Sequence, residues 1–282
     1  MLASDVATKK EQEGAADLYI DLLKKCLTMW LWDAKDGSIA IPVENNAKSK
    51  VKQSIQRHLL GVTPRKPDSR AQRLDGRDWP SLAHSMIGTK RMDNLQFCVE
   101  DVLAKNVPGD LIETGVWRGG ATIFMRGILR AYGVDDRIVW VADSFEGLPP
   151  PDSSKYPGDA GDSHHTFEDL AVSLENVKAN FERYGLLDDQ VRFLKGWFKD
   201  TLPNAPIERL AVMRLDGDMY ESTWDGLTHL YPKLSVGGYA IIDDWGAVPA
   251  CRKAVEDYRT QNNITEPVHT VDWTGVYWQR QK

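Results

Sequence analysis

Two apolar runs of this chain end in paired carboxylates. Leu210–Leu215 leads into Asp216-Gly217-Asp218, and Tyr239–Asp243 closes on Asp243 and Asp244. If both runs are parallel strands of one sheet, their carboxyl ends share an edge and the four aspartates converge there. Like charges that close cannot all stay ionised without a cation. Hard oxygen donors, with no Cys and no obvious His beside them, select Mg²⁺, Ca²⁺ or Mn²⁺ over zinc. The D-x-D spacing leaves open which of Asp216 and Asp218 is a ligand. Glu221, just beyond, reads as an acid at a helix start.

A second constellation lies upstream. The run Leu111–Thr114 carries Glu113 and continues into Thr114-Gly115-Val116-Trp117-Arg118-Gly119-Gly120. Glycines after a strand let the backbone turn sharply and approach a ligand. The spacing is E-x-G-x-x-x-G, and the G-x-G-x-x-G of dinucleotide folds is absent because Glu113 stands where its first glycine belongs. An acid inside the strand suits an ammonium or a ribose better than a pyrophosphate. The run Ile138–Asp143 ends in a second carboxylate, and Asp143 is placed to accept both hydrogens of a ribose diol. Together the two point to a nucleoside cofactor without a pyrophosphate, so S-adenosylmethionine is preferred to NAD.

The elements that must position these residues are legible from about residue 93. Strands at Leu111–Thr114, Ile138–Asp143, Val191–Leu194, Leu210–Leu215 and Tyr239–Asp243 alternate with helices over about 120–132, 168–184, 222–231 and 249–262. Alternation of this kind marks a parallel sheet covered on both faces. Val268–Asp272 and Gly275–Gln279 lie so close in sequence that they must form an antiparallel hairpin, giving a mixed α/β sheet. Asp93 and Gln96 resemble an N-terminal capping pair for a helix carrying Leu95, Val99, Val102 and Leu103. Upstream, Leu18, Leu22, Leu23, Cys26, Leu27 and Trp30 recur at helical spacing and predict an amphipathic helix over about 15–32. Residues 48–77 hold nine Lys/Arg against Asp68 and Asp75. That stretch reads as a solvated loop or, more sharply, as a lid that meets an anionic ligand. The apolar face of the 15–32 helix is expected to cover the active site or a subunit interface beside it. His164 and His165 fall in the Gly-, Pro-, Asp- and Ser-rich loop 149–166. Surface histidines are the plainer reading, substrate contact the sharper one.

The 282 residues have 42% hydrophobic side chains and a net charge of −6. That balance is ordinary for a globular protein and excludes a disordered chain. The acidic balance argues against nucleic-acid binding, and no apolar run approaches the ~18 residues of a membrane span. No secretory signal is expected from the first residues. The widely spaced Cys26, Cys98 and Cys251 fit neither a disulfide framework nor a zinc site, so a cytoplasmic location is expected.

From Asp110 onward the chain resembles the TylF/MycF family of metal-dependent sugar O-methyltransferases. The segments that carry the likeness are ETGVWRGG (113–120), ADSFEGLP (142–149), FLKGWFKDTLP (193–203), RLDGDMYESTWDGL (214–227), YPKLSVGGYAIIDDW (231–245) and GVYWQRQ (275–281), with a weaker continuation upstream through SMIGTKRMDNL (85–95). The resemblance implies a class I methyltransferase (Rossmann-like) fold with a mixed seven-stranded sheet whose last strand is antiparallel. An N-terminal helical and lid region over 1–92 would precede a methyltransferase domain over 93–282. It implies Mg²⁺ on Asp216, Asp243 and Asp244, with Asp218 as general base. The cofactor positions it implies are Glu113, Thr114, Gly115, Val116, Trp117, Asp143 and Ser144, with Gly196 and Trp197 bordering the adenine and Met86 near the methionine end. The expected reaction is methyl transfer from S-adenosylmethionine to a (deoxy)sugar hydroxyl of a small glycosylated natural product, by a homodimer. The alternatives are methylation of a catechol or other vicinal-diol phenol and, from other classes, an NAD-dependent oxidoreductase or a non-enzymatic nucleotide-binding module.

Overall fold

The computed structural model describes residues 14–32, 38–39 and 69–282. Two short strands, β1 (Ser38–Ile39) and β2 (Trp79–Pro80), pair with each other. The main sheet follows in chain order as β3 (Asp110–Thr114), β4 (Val139–Asp143), β5 (Val191–Lys195), β6 (Leu210–Leu215), β7 (Leu234–Ile242), β8 (His269–Thr270) and β9 (Val276–Gln279). Across the sheet the order is β5-β4-β3-β6-β7-β9-β8. Strands β3 to β7 are parallel, and β9 runs antiparallel between β7 and β8. The mixed seven-stranded sheet and its antiparallel last strand therefore stand as expected. Strand order reverses direction at β3, between β4 and β6, which is where an open α/β sheet leaves a crevice at its carboxyl edge.

Among the described residues the helices are α1 (Ala15–Leu27), α2 (Ser69–Leu74), α3 (Thr89–Ala104), α4 (Gly120–Ala131), α5 (Leu174–Arg183), α6 (Phe198–Thr201), α7 (Tyr220–Leu230) and α8 (Pro249–Gln261). Consecutive strand residues point to opposite faces. Leu111, Val139, Val141 and Val212 join a layer with α1, α3, α4 and α5. Ile112, Trp140, Ala142 and Met213 join a second layer with α7, α8 and β9. Both faces are thus dry, and the strands read as near-continuous apolar runs for that reason.

Three expectations shift. Helix α3 starts at Thr89, with Gly88 as its cap residue, so Asp93 is not a capping residue; it lies inside the helix and pairs with Lys24 of α1. Helix α5 starts at Leu174, capped by the Ser173 hydroxyl accepting from Asn176 N–H at 3.3 Å, and Glu168–Leu170 forms a separate 3₁₀ turn. The basic stretch lies outside the described residues over 48–68, and its described part is structural. Arg73 is buried, bonded to Asp78 and to the carbonyls of Met29 and Trp32, while Arg77 stacks 4.2 Å from the Trp273 ring.

Helix α1 buries Ile20, Leu23 and Leu27, a stripe at helical spacing, against α4. The approach is close: a Cβ on Gly127 would meet Leu23 Cδ2 at 2.2 Å. No α1 residue lines the large cavity of the described structure. The helix instead supports that cavity from behind, because the Leu27 carbonyl accepts from the N–H groups of His84 and Ser85 at 3.0 and 3.1 Å. Removing the Leu23 side chain, 4% exposed, should cost about 2–5 kcal/mol. Leu22→Ala, at a side chain 52% exposed, should cost under about 0.5 kcal/mol. Urea unfolding of the two variants checks which face of α1 is docked; equal losses would contradict this packing.

Candidate active site

A cavity of about 890 Å³ opens at the carboxyl ends of β3 to β7, and all but one of the residues assigned from the sequence to the cofactor, the metal or the general base line it. Met86, Glu113, Gly115, Val116, Trp117, Asp143, Ser144, Gly196 and Trp197 line it together with Asp216, Asp218, Asp243 and Asp244. Thr114 is the exception. It is buried beneath the cavity, and its carbonyl accepts from Asp216 N–H at 2.9 Å.

The turn after β3 is shaped by backbone and by Asp143. Gly115 has φ +79°, and a Cβ there would lie 1.7 Å from the Asp216 carbonyl oxygen, so this position admits only glycine. The Asp143 carboxylate accepts from Val116 N–H and Phe145 N–H, both at 2.7 Å. Burial raises its pKa, against the pull of those amides. Asp143 therefore orders the turn as well as facing the cavity, with lone pairs left for a further donor.

The neighbouring strands bring carboxylates together as the spacing requires. Ligand atoms of Asp216, Asp243 and Asp244 all lie within 4.8 Å of one another. Asp218 sits beside them in the left-handed region, at φ +56°, with its N–H donating to Asp244 Oδ2 at 3.1 Å. A non-glycine residue in that region is strained, and such strain is held where surrounding structure over-determines it. Burial pushes Asp218 up to about 7, with Asp216 adding to the rise and His164 opposing it. Burial and the neighbouring Asp218 push Asp244 well above the usual carboxylate range.

Two arginines that were not singled out in the sequence hold this edge. Register places Arg214 beside Glu113 on one side and Ile241 on the other. Its guanidinium, 1% exposed, bonds Glu113, Asp216 and Asp243. Arg91, from the first turn of α3, bonds Asp243 and reaches Asp272 Oδ2 at 3.1 Å. Both Asp243 oxygens are thereby oriented, each with a lone pair remaining. Glu113 Oε2 is buried and has no hydrogen-bond partner, and burial raises this carboxyl against the opposing pull of Arg214. An arginine inside the run LAVMRL was the available signal for Arg214, since a buried charge needs partners. Arg91 gave no signal, because its partner lies far along the chain.

The loop 149–166 closes the remaining side. Asp159 caps α7 from outside the helix, accepting from Tyr220 N–H at 2.6 Å and Glu221 N–H at 3.0 Å. Glu221 is thus a helix-start acid, as read from the sequence, and pairs with Lys199 at 3.7 Å. Of the two loop histidines, His164 lines the cavity and His165 does not.

The chain resembles proteins of assigned activity along its whole length. It is 55% identical over 268 residues, 95% of this chain and 94% of the relative, to the 8-demethyl-8-(2,3-dimethoxy-alpha-L-rhamnosyl)-tetracenomycin-C 4'-O-methyltransferase of Streptomyces olivaceus. It is 50% identical over 282 residues, 100% of both chains, to the demethyldecarbamoylnovobiocin O-methyltransferase of Streptomyces niveus. The solved structure of the O-methyltransferase NovP, 51% identical, matches with a TM-score of 0.80 over 95% of this chain and 100% of that one. The family model described as Macrocin-O-methyltransferase (TylF) matches residues 16–280, so the chain belongs to that family and is an S-adenosylmethionine-dependent O-methyltransferase with the class I methyltransferase fold.

Proposed function

We propose that this enzyme methylates a (deoxy)sugar hydroxyl of a glycosylated natural product, with Mg²⁺ held by Asp216, Asp243 and Asp244 and with Asp218 as general base. The observation that carries the reading is the convergence of those three aspartates within 4.8 Å on the cavity that Asp143 and Glu113 share. The donor set fits a hard divalent cation. Six carboxylates, Glu113, Asp216, Asp218, Asp243, Asp244 and Asp272, stand around only two guanidiniums, Arg91 and Arg214, so positive charge is in deficit there. The cofactor end fits as well. The partnerless Glu113 Oε2 suits an ammonium, and Asp143 keeps acceptor capacity for a ribose diol. The names of the Streptomyces relatives, which specify a rhamnosyl tetracenomycin and a novobiocin precursor, support a glycosylated acceptor.

Bound Mg²⁺ would supply a Lewis acid that lowers the pKa of a chelated hydroxyl. The chain's own residues do the rest. Arg214 and Arg91 fix the direction of Asp243, and the Gly115–Trp117 turn with Asp143 fixes the cofactor end, so the acceptor oxygen and the methyl carbon are held in line. Asp218 would take the proton of the reacting hydroxyl while the methyl group passes to its oxygen from the sulfonium sulfur, which leaves as a neutral thioether. Met86 and Trp117 border the methionine end in this reading, and Gly196 and Trp197 the adenine.

The direct test is incubation with S-adenosylmethionine and demethyldecarbamoylnovobiocin, the acceptor named for the Streptomyces niveus relative. A product one methyl heavier, formed with Mg²⁺ and lost in EDTA, is expected. Asp216→Asn, Asp243→Asn and Asp244→Asn should each remove the rise in Tm that Mg²⁺ gives the wild type, and activity with it. Two variants that keep both would refute the metal assignment. Asp218→Asn should retain the Mg²⁺-induced rise in Tm while kcat falls by about 10²–10⁴. Asp143→Asn should raise the calorimetric Kd for S-adenosylmethionine by roughly tenfold to a hundredfold, one charge-assisted bond pair. An unchanged Kd would place the ribose elsewhere.

A further inference from the structure

The loop 149–166 carries a pair of side chains that the reaction as described leaves unused. His164 Nδ1 lies 2.7 Å from Asp162 Oδ2, and the backbone N–H of His164 donates to Asp162 Oδ1 at 2.9 Å. One carboxylate thus grips ring and backbone together. The Phe167 ring, also on the cavity wall, packs edge-on against the imidazole at 5.6 Å between centroids and 82° between planes. Position and rotation of the imidazole are both set. With Nδ1 bound to a carboxylate, the proton of the neutral ring sits on Nδ1, and Nε2 is the free acceptor. Among the described residues, Nε2 has no hydrogen-bond partner, and His164 lines the cavity.

The anchorage of the loop says which end of the cavity this nitrogen serves. Asp159, three residues before Asp162, clamps the first two N–H groups of α7, and α7 begins two residues after Asp218. Asp162 and His164 are therefore tied to the strand end that carries the aspartates. The charge of Asp218 reaches the imidazole, and together with Asp162 it raises the pKa of His164 against the effect of burial. The other cavity histidine differs in each respect. His84 Nδ1 is 2.7 Å from the Tyr184 hydroxyl, and burial with Arg183 nearby lowers it to about 4.

We propose that His164, oriented by Asp162, binds a non-reacting hydroxyl of the acceptor through Nε2 and so fixes which face of the sugar meets Asp218. This rests on the reading of the acceptor as a sugar. A hydroxyl is the group that suits Nε2 in either state of the ring, since it donates to a neutral imidazole and accepts from an imidazolium. An ammonium would be refused by the charged ring, and a carboxylate would be set against Asp218 and Asp162. The pair also explains why a loop rich in Gly and Pro is pinned so firmly at Asp159. A hydrogen bond that selects a hydroxyl must be held within a fraction of an ångström to discriminate.

Imidazole ¹⁵N spectra of the full-length protein give a test independent of turnover. At alkaline pH the His164 resonances should show a protonated Nδ1 and a bare Nε2, and Asp162→Ala should move them toward a free tautomer mixture. With S-adenosylhomocysteine and Mg²⁺ present, adding demethyldecarbamoylnovobiocin should shift Nε2 while Nδ1 holds. A wild-type ring protonated on Nε2, or an Nε2 resonance that ignores the acceptor, would overturn the assignment. In steady-state assays His164→Ala should raise the acceptor KM about tenfold, with kcat and the S-adenosylmethionine KM within about twofold. His164→Gln, whose amide also donates and accepts, should recover part of that loss. A variant with unchanged acceptor KM, measured beside an active wild type, also overturns it. If the wild type transfers no methyl group to this acceptor, the sugar-methylating reading is what fails, and the ¹⁵N response still decides the role of His164.

Discussion

The arrangement at the carboxyl edge is governed by one electrostatic problem, the crowding of carboxylates where β3, β6 and β7 end. Two unit charges about 4 Å apart repel by roughly 4 kcal/mol at the effective dielectric of a protein surface. Asp216, Asp243 and Asp244 meet at comparable range, with Asp218 and Glu113 close behind. A fold of marginal stability cannot carry several such terms uncompensated. Three remedies are visible in the protein itself. Arg214 and Arg91 supply buried positive charge, carboxyls such as Asp218 and Asp244 are pushed toward their protonated forms, and oxygen lone pairs remain free for a cation. Removing either arginine would leave buried charge unpaired, which costs more than the pair is worth when intact.

That problem explains how distant parts of the chain are joined. Arg91 comes from α3 and Asp272 from the turn before β9, and Arg91 bridges Asp272 to Asp243. Asp272 in turn holds its own loop, accepting from Thr274 N–H and Gly275 N–H at 3.0 and 2.8 Å, while the Thr274 hydroxyl donates to the Asp243 carbonyl at 2.8 Å. Trp273, at the tip, donates from Nε1 to the Asp75 carbonyl and receives Arg77 on its face. The segment from Asp75 to Arg91, which supplies Trp79, His84, Ser85 and Met86 to the cavity wall, is thereby fastened to the same carboxylate that the metal would use. Trp273, itself on the cavity wall, is part of this support.

What was legible in the sequence follows the range of the interactions concerned. The strands could be read because a parallel sheet buried on both faces demands unbroken apolar runs, and the carboxylates could be read because they are the residues at which those runs stop. Asp143 and Asp216 needed no knowledge of any partner. The 15–32 helix was legible as a helix, but which of its leucines face inward was settled by α4 and the space above Gly127. The Asp93 cap failed for a similar reason: local spacing suggested it, while α3 was already under way from Thr89 and Lys24 of another helix claimed the charge. Arg73, grouped with the basic stretch, proved to be a buried tie between α2 and the carbonyls after α1. Its partners are some forty residues away in sequence, and no local pattern announces such a bond.

The cavity is built in two ways, and the difference bears on what can vary. One side consists of strand ends in fixed register, where a single added Cβ at Gly115 would strike backbone. Another side consists of the loop 149–166, attached through the Asp159 cap and the packing of Tyr156 and Gly158 on Tyr220. A loop held mainly at its Asp159 anchor can exchange other residues with little effect on the sheet, whereas Glu113, Arg214, Asp216 and Asp243 are joined by ion pairs, so a change at one is felt by the others. In the proposed reading the groups that perform methyl transfer sit at the strand ends, and the choice of acceptor falls to loop side chains, His164 among them.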